Sequence, residues 1–308
     1  MSTYVAAPVR LGETRLPDGR LLGWSEWGPE DGAAVLFCPG AATSRRLGCG
    51  PDALAARHLR LVSVDRPGLG ASTPHPGRTF ADFAADIRYF AAQRGLGRPP
   101  VIGNSQGAPF ALACAEAGVV SAVALVSGAD EVAVSADPEA YGAAGIAFAA
   151  ALPAEVRELV ARTAADPAGA EEFFAGFTAD AMWDLVRRHS PPCDVAVYED
   201  PAFAAAYRRA LDEGFAQGAA AGYARDTVLA MSRWPFALGR LTVPVDLWYG
   251  EHDSSHSPDH GALLAGRIPG ARRHLVPGAG GSLLWTHPEP ILAALLNRAE
   301  ENSQLSEG

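Results

Sequence analysis

The sequence predicts an α/β protein built on a mostly parallel, doubly wound sheet. Three observations carry that expectation. Short apolar runs ending in turn residues, AAVLFCPG, LRLVSVDRPG, PPVIGN and SAVALVSG, read as strands buried on both faces. Between them lie helix-length segments whose apolar residues recur every three or four positions. The two kinds of segment alternate, as repeated βα units require.

Taken in order, RLLGWSEWG has the period-two pattern of an exposed strand, and AAVLFCPG follows as a buried one. A helix over Pro51 to Arg57 leads to LRLVSVDRPG. The segment TFADFAADIRYFAAQRG places Phe80, Phe83, Ala84, Ile87, Phe90 and Ala91 on one helical face, with Gly95 as its stop. The strand PPVIGN, the helix APFALACAEAG and the strand SAVALVSG continue the alternation. From Glu131 to Phe236 the chain changes character. Ala-rich helical segments dominate, Pro191-Pro192 and Asp200-Pro201 punctuate them, and no strand pattern occurs. This reads as a helical insertion over the C-terminal edge of the sheet. Strand character returns in VPVDLWYG and RRHLVPG, separated by the helix HGALLAGRI, before a last helix, PEPILAALLNRA. The expected organisation is a core of residues 1–130 and 237–300, a helical cap over 131–236, and a disordered polar tail over 301–308.

Composition narrows the function. The chain has 308 residues, 48% hydrophobic and 19% charged, which fits a globular protein. Its apolar runs are too short to span a bilayer, and the N-terminus lacks a basic region followed by an apolar core. A soluble cytoplasmic protein is therefore expected, with no membrane partner. All 25 basic residues are arginine, which excludes a Walker-type phosphate loop and Schiff-base chemistry on a lysine. A net charge of −10 without a basic cluster argues against nucleic acid. Cys38, Cys49, Cys114 and Cys193 lie far apart with no CxxC pair, so neither a zinc site nor a disulfide framework is expected. No metal or organic cofactor is implied. The expected partner is a small molecule, and the oligomeric state has no signature in the chain.

One motif carries chemistry. GNSQG, Gly103 to Gly107, matches G-x-S-x-G, follows a buried strand and opens a helix. In that setting Ser105 occupies a tight turn, and its hydroxyl projects above the sheet at a helix N-terminus, where negative charge is favoured. The bland alternative is a serine N-cap in a glycine-rich turn.

With that motif and LFCPGAATSRR, VDRPGLGAS, VPVDLWYGEHDSSHSPDHGALLAGRIPGA and LVPGAGGSLLWTHPEP, the chain resembles the α/β-hydrolase fold superfamily, in its branch of capped serine hydrolases. The segments occur in the family's order over nearly the whole length. The resemblance implies a Ser, Asp, His triad, two backbone oxyanion donors, and a pocket between sheet and cap. It places Ser105 at the nucleophile and Asp253 at the acid, with Asp130 as runner-up. The backbone N–H groups of Gln106 and Ala41 fall on the oxyanion donors. Pro39-Gly40 stands where the family usually has His-Gly.

The base is missing from its place. The family pattern in LVPGAGGSLL puts histidine where this chain has Gly281, which should leave a side-chain-sized gap beside Ser105. His252 and His256 flank Asp253, and His287 lies six residues beyond Gly281. These are the alternative bases; His260 and His274 read as ordinary. Without a base, serine is a poor nucleophile. Three readings follow. The chain is a hydrolase of a small, largely apolar ester, lactone or related acyl compound, weak or using another histidine. Or it runs a non-hydrolytic reaction such as cyclisation, elimination or proton transfer. Or it binds a ligand without chemistry. Phe148, Phe174, Phe177, Trp183, Tyr223 and Trp234 are candidates for the pocket lining, although aromatics at helical spacing more often form cap core.

Overall fold

The computed structural model describes residues 4–307. Eight strands form one sheet: β1 (Arg10–Arg15), β2 (Leu21–Trp27), β3 (Ala33–Cys38), β4 (Leu59–Val64), β5 (Val101–Ser105), β6 (Val123–Gly128), β7 (Val245–Gly250) and β8 (Arg272–Val276). Their order is β1-β2-β4-β3-β5-β6-β7-β8. The pairs β1–β2 and β2–β4 are antiparallel, and every other pair is parallel.

The helices of the N-terminal part are α1 (Pro51–Ala56), α2 (Phe80–Gln93) and α3 (Gly107–Glu116). Between β6 and β7 come α4 (Gly142–Ala151), α5 (Ala154–Ala165), α6 (Pro167–Phe174), α7 (Ala179–His189), α8 (Pro192–Tyr198), α9 (Pro201–Gly214) and α10 (Tyr223–Met231). The chain closes with α11 (Ala262–Gly266), α12 (Leu283–Thr286) and α13 (Pro288–Glu307).

Side chains alternate along the central strands and so build two cores, one on each face. On one face Leu36, Val62, Val64 and Leu125 pack with Phe83, Ile87 and Phe110 of α2 and α3. On the other, Val35, Phe37, Leu61 and Val126 meet Leu54, Trp285 and Leu292. Helix α2 starts at a capping box between Thr79 and Asp82, and its buried face includes the six apolar positions that the periodicity picks out.

Two expectations need correction. The segment around β2 reads as an exposed strand, yet from Leu22 to Trp27 it is buried. Strand β1, which has no clear sequence signal, takes the outer edge with an alternating half-buried and exposed pattern and covers its neighbour. The tail at 301–307 is helical rather than disordered. It continues α13, and Asn302 Nδ2 donates to the Ser121 carbonyl at 3.0 Å, which ties that turn to the end of the sheet. Gly308 lies outside the described residues.

Among the described residues, no strand occurs between β6 and β7. The helical segment there reaches loops that follow the C-terminal ends of the strands. Ser44 N–H donates to the Ala210 carbonyl at 3.1 Å, and Gln106 Nε2 donates to Thr227 Oγ1 at 3.0 Å. Helices α9 and α10 therefore pack against the loops at the C-terminal ends of β3 and β5.

Candidate active site

Ser105 ends β5 and sits at φ 48°, in the left-handed region that L residues with a Cβ seldom adopt. Its neighbours explain how the chain turns there. A Cβ on Gly103 would lie 2.8 Å from the Ala111 Cβ, and one on Gly107 would run into the carbonyl oxygen of Cys38. Only glycine fits at either place, so α3 can start directly under the serine. Ser105 is half-buried, and among the described residues its Oγ makes no hydrogen bond.

Of the two expected oxyanion donors, Gln106 follows Ser105 in the chain, and Ala41 follows Gly40, where an added Cβ would lie 3.3 Å from the Ser105 Cβ. Among the described residues, neither the backbone N–H of Ala41 nor that of Gln106 donates to a protein acceptor, which leaves both free for an incoming oxygen. The loop that carries Ala41 is held from behind. Arg66 donates from its two terminal nitrogens to the carbonyls of Pro39 and Gly40, at 2.6 and 2.9 Å. Its Nε donates to Asp226 of α10 at 2.6 Å, and Arg78 pairs with the other oxygen of the same carboxylate. Arg66 and Arg78 are each 1% exposed and Asp226 is fully buried. This ion cluster fixes the loop against the helical segment. Sequence reading passed over Arg66, although it stands inside the VDRPGLGAS segment.

Asp253 lies in the loop after β7, fully buried. Three residues on, His256 folds back, and its Nδ1–H donates to Asp253 Oδ1 at 2.8 Å, with Oδ2 at 3.0 Å. Burial pushes the Asp253 carboxyl up, but the charge and hydrogen bond of the imidazole outweigh it and hold the group at about 2. For His256 burial favours the neutral ring. The Asp253 charge and hydrogen bond, with a further contribution from Asp194, overcome that and raise its pKa. With Nδ1 on the carboxylate, Nε2 makes no hydrogen bond among the described residues. It is not hydrogen-bonded to Ser105 in this structure.

The expected gap at Gly281 is filled. A Cβ there would lie 2.9 Å from His256 Cε1 and 3.1 Å from its Nδ1. The imidazole of His256 thus occupies the space that the glycine leaves open. Behind the same loop stands Asp194 of α8, which accepts from Gly281 N–H at 2.6 Å and from Ser282 N–H at 2.9 Å.

The other candidates fall elsewhere. Asp130 accepts from Ser257 Oγ at 2.8 Å and from Glu131 N–H at 2.7 Å, not from the imidazole, and burial pushes its carboxyl up to about 7. His252 is exposed, and His287 pairs through Nδ1 with the Thr286 hydroxyl at 2.9 Å. His274 bonds Asp246 at 3.1 Å and stacks on Trp248. Among the aromatics, Phe148, Phe174, Trp183, Tyr223 and Trp234 are buried in cores, and only Phe177 is half-exposed, beside Tyr223. Among the described residues, no group of three His, Cys, Asp or Glu side chains is placed to hold a metal, and no helix is long and apolar enough to cross a membrane.

Known structures share this architecture. A hydrolase from Pseudomonas aeruginosa PA01 superposes with a TM-score of 0.66 at 18% identity, covering 94% of this chain and 98% of its own. An esterase from Rhodococcus sp. ECU1013 gives 0.60 at 17% identity, covering 94% and 98%. The enol-lactonase from Burkholderia xenovorans LB400 gives 0.60 at 19% identity, covering 93% and 99%. No curated protein matches the sequence. The family profile described as alpha/beta hydrolase fold matches residues 33–288. With that match over most of its length, and the sheet order above, this chain belongs to the α/β hydrolase fold family.

Proposed function

We propose that the protein is a serine hydrolase of a small, largely apolar ester, lactone or related acyl compound, with its base supplied from the loop of the acid. Ser105 attacks the acyl carbon. His256 takes the serine proton through Nε2 and later returns it to the leaving group, while Asp253 holds the ring and stabilises the imidazolium. The N–H groups of Ala41 and Gln106 receive the oxyanion. A water, activated by the same imidazole, then releases the acyl group. The helical segment is the cap over this site.

One observation carries the reading: the His256–Asp253 pair, at 2.8 Å, lies in the space above Gly281. An imidazole oriented by a buried carboxylate beside a free nitrogen is the arrangement that serine activation requires. The lack of a hydrogen bond between His256 and Ser105 is compatible with this reading, because catalytic hydrogen bonds often form or tighten only around substrate. The esterase and the enol-lactonase among the structural neighbours are named for the proposed substrate class.

The test is hydrolysis of a chromogenic short-chain ester, together with labelling by a fluorophosphonate. The parent chain should turn over and become labelled at Ser105. Ser105→Ala and His256→Ala should each lose roughly 10⁴- to 10⁶-fold in kcat, on the scale of triad removals in serine proteases. Full activity in His256→Ala would reject the proposed base. A second reading, non-hydrolytic chemistry or ligand binding alone, draws on the missing hydrogen bond between Ser105 and His256. It predicts no Ser105-dependent turnover in the parent chain.

A further inference from the structure

Asp194 takes no part in the reaction as proposed, yet it is placed to govern it. It lies in the first turn of α8, 2% exposed, and both its oxygens are occupied by the N–H groups of Gly281 and Ser282. Among the described residues no arginine pairs with it. A buried carboxylate without a cation is costly. The cationic group that can offset that cost is the imidazole of His256. Asp194 Oδ2 and His256 Nδ1 both lie within 3.5 Å of the point where a Cβ on Gly281 would sit.

The two glycines of the loop divide this work. A Cβ on Gly280 would lie 2.5 Å from Asp194 Oδ2, and one on Gly281 would lie 2.9 Å from His256 Cε1. Gly280 clears the carboxylate and Gly281 clears the ring. Two side chains from other elements thus approach the bared loop, one at each glycine.

We infer that Asp194 is a positioning residue for His256: it docks the helical segment on the loop at Gly281 and gives the imidazole a second carboxylate besides Asp253. The inference rests on the reading of His256 as the base. Its consequence is electrostatic. The imidazolium formed when Ser105 gives up its proton is favoured by both carboxylates, but by Asp194 only while α8 is seated. The contact of α8 with the Gly281 loop thereby contributes to the strength of the base. The groups around the ring are Asp253 and the Ser255 hydroxyl from its own loop, and Asp194 from α8 with Cys193 beside it and Tyr198 at the end of the same helix. Burial pushes the Cys193 thiol and the Tyr198 hydroxyl up, so neither carries charge near neutrality.

Asp194→Asn and Asp253→Asn, read by NMR titration of the His256 ring and by the pH profile of kcat/KM for a short-chain ester, test this. Loss of a neighbouring anion disfavours the imidazolium, so the ring should titrate at lower pH in both variants. The acid limb of the profile should move with it, a change that a purely structural role for Asp194 would not produce. Gly280→Ala, which drives the carboxylate off the loop without removing its charge, should shift the titration in the same direction and serves where Asp194→Asn does not fold. A His256 titration unmoved in folded Asp194→Asn or Gly280→Ala overturns the inference. A shifted titration without Ser105-dependent turnover supports the pairing of Asp194 with His256 and rejects His256 as a hydrolytic base.

Discussion

Gly281→His is the substitution that the family pattern offers as a repair, and the packing predicts that it fails. A Cβ at that position lies 2.9 Å from His256 Cε1, whereas carbon atoms in contact rest at about 3.5–4.0 Å. The ring must therefore retreat by roughly 1 Å, and its hydrogen bond to Asp253 loosens. A misplacement of ~1 Å in a catalytic group costs on the order of 10²-fold in rate, or about 2.7 kcal/mol of barrier. Gly281→Ala adds only that Cβ and should lose about 10²-fold in kcat with little change in KM. Gly281→His should fall at least as far. His256→Ala, which loses its base, should fall much further, and adding Gly281→His to it should recover at least ~10²-fold, because the new side chain then enters the vacated space beside Asp253. Initial rates on a chromogenic ester, normalised to the concentration of folded protein, compare the four variants with the parent. A Gly281→His single variant more active than the parent would refute the argument, as would Gly281→Ala at parental activity.

Three further predictions concern what supports the site. Gly107→Ala forces a methyl group against the Cys38 carbonyl, a backbone group that cannot swing away, and should destabilise by about 1–3 kcal/mol or more; an unchanged urea midpoint would contradict this. Asp226→Ala leaves Arg66 and Arg78 buried without their shared carboxylate and should cost about 3–5 kcal/mol in denaturant unfolding, with kcat falling as the Ala41 loop loosens. Asp130, raised by burial from 3.8 to about 7, stays protonated in the folded protein where the unfolded chain ionises it. The stability it confers is complete below about 4 and is lost as pH rises through about 7, a fall of up to roughly 4 kcal/mol. Asp130→Asn should flatten that fall in thermal unfolding followed across the same range, and parallel curves would rule it out. Asp253 acts with the opposite sign: held at about 2, its contribution is present above the usual carboxylate range and is lost as pH drops through about 2.

By itself the sequence determined what repeats locally or is carried by a short motif. The buried runs that became β3 to β7 and the helical face of α2 follow from periodicity, since burial on one or both faces writes itself into neighbouring residues. The turn at Ser105 follows from Gly103 and Gly107, whose lack of a side chain is a local steric requirement. The edge strand β1 was not legible, because a strand exposed on its outer side needs few apolar residues. The base position was read only as far as an absence: Gly281 marks where a histidine is lacking, and His256 stood as one of three alternatives. Only the tertiary structure separates their contacts. It brought the loop after β7 across Gly281, put His256 rather than His252 or His287 on Asp253, and carried Asp194 in from α8, 87 residues away in the chain. Neither meeting has a sequence spacing, because each depends on space that two glycines vacate and on how the helical segment sits over the sheet. A missing side chain is visible in a sequence; what moves into its place is settled by packing.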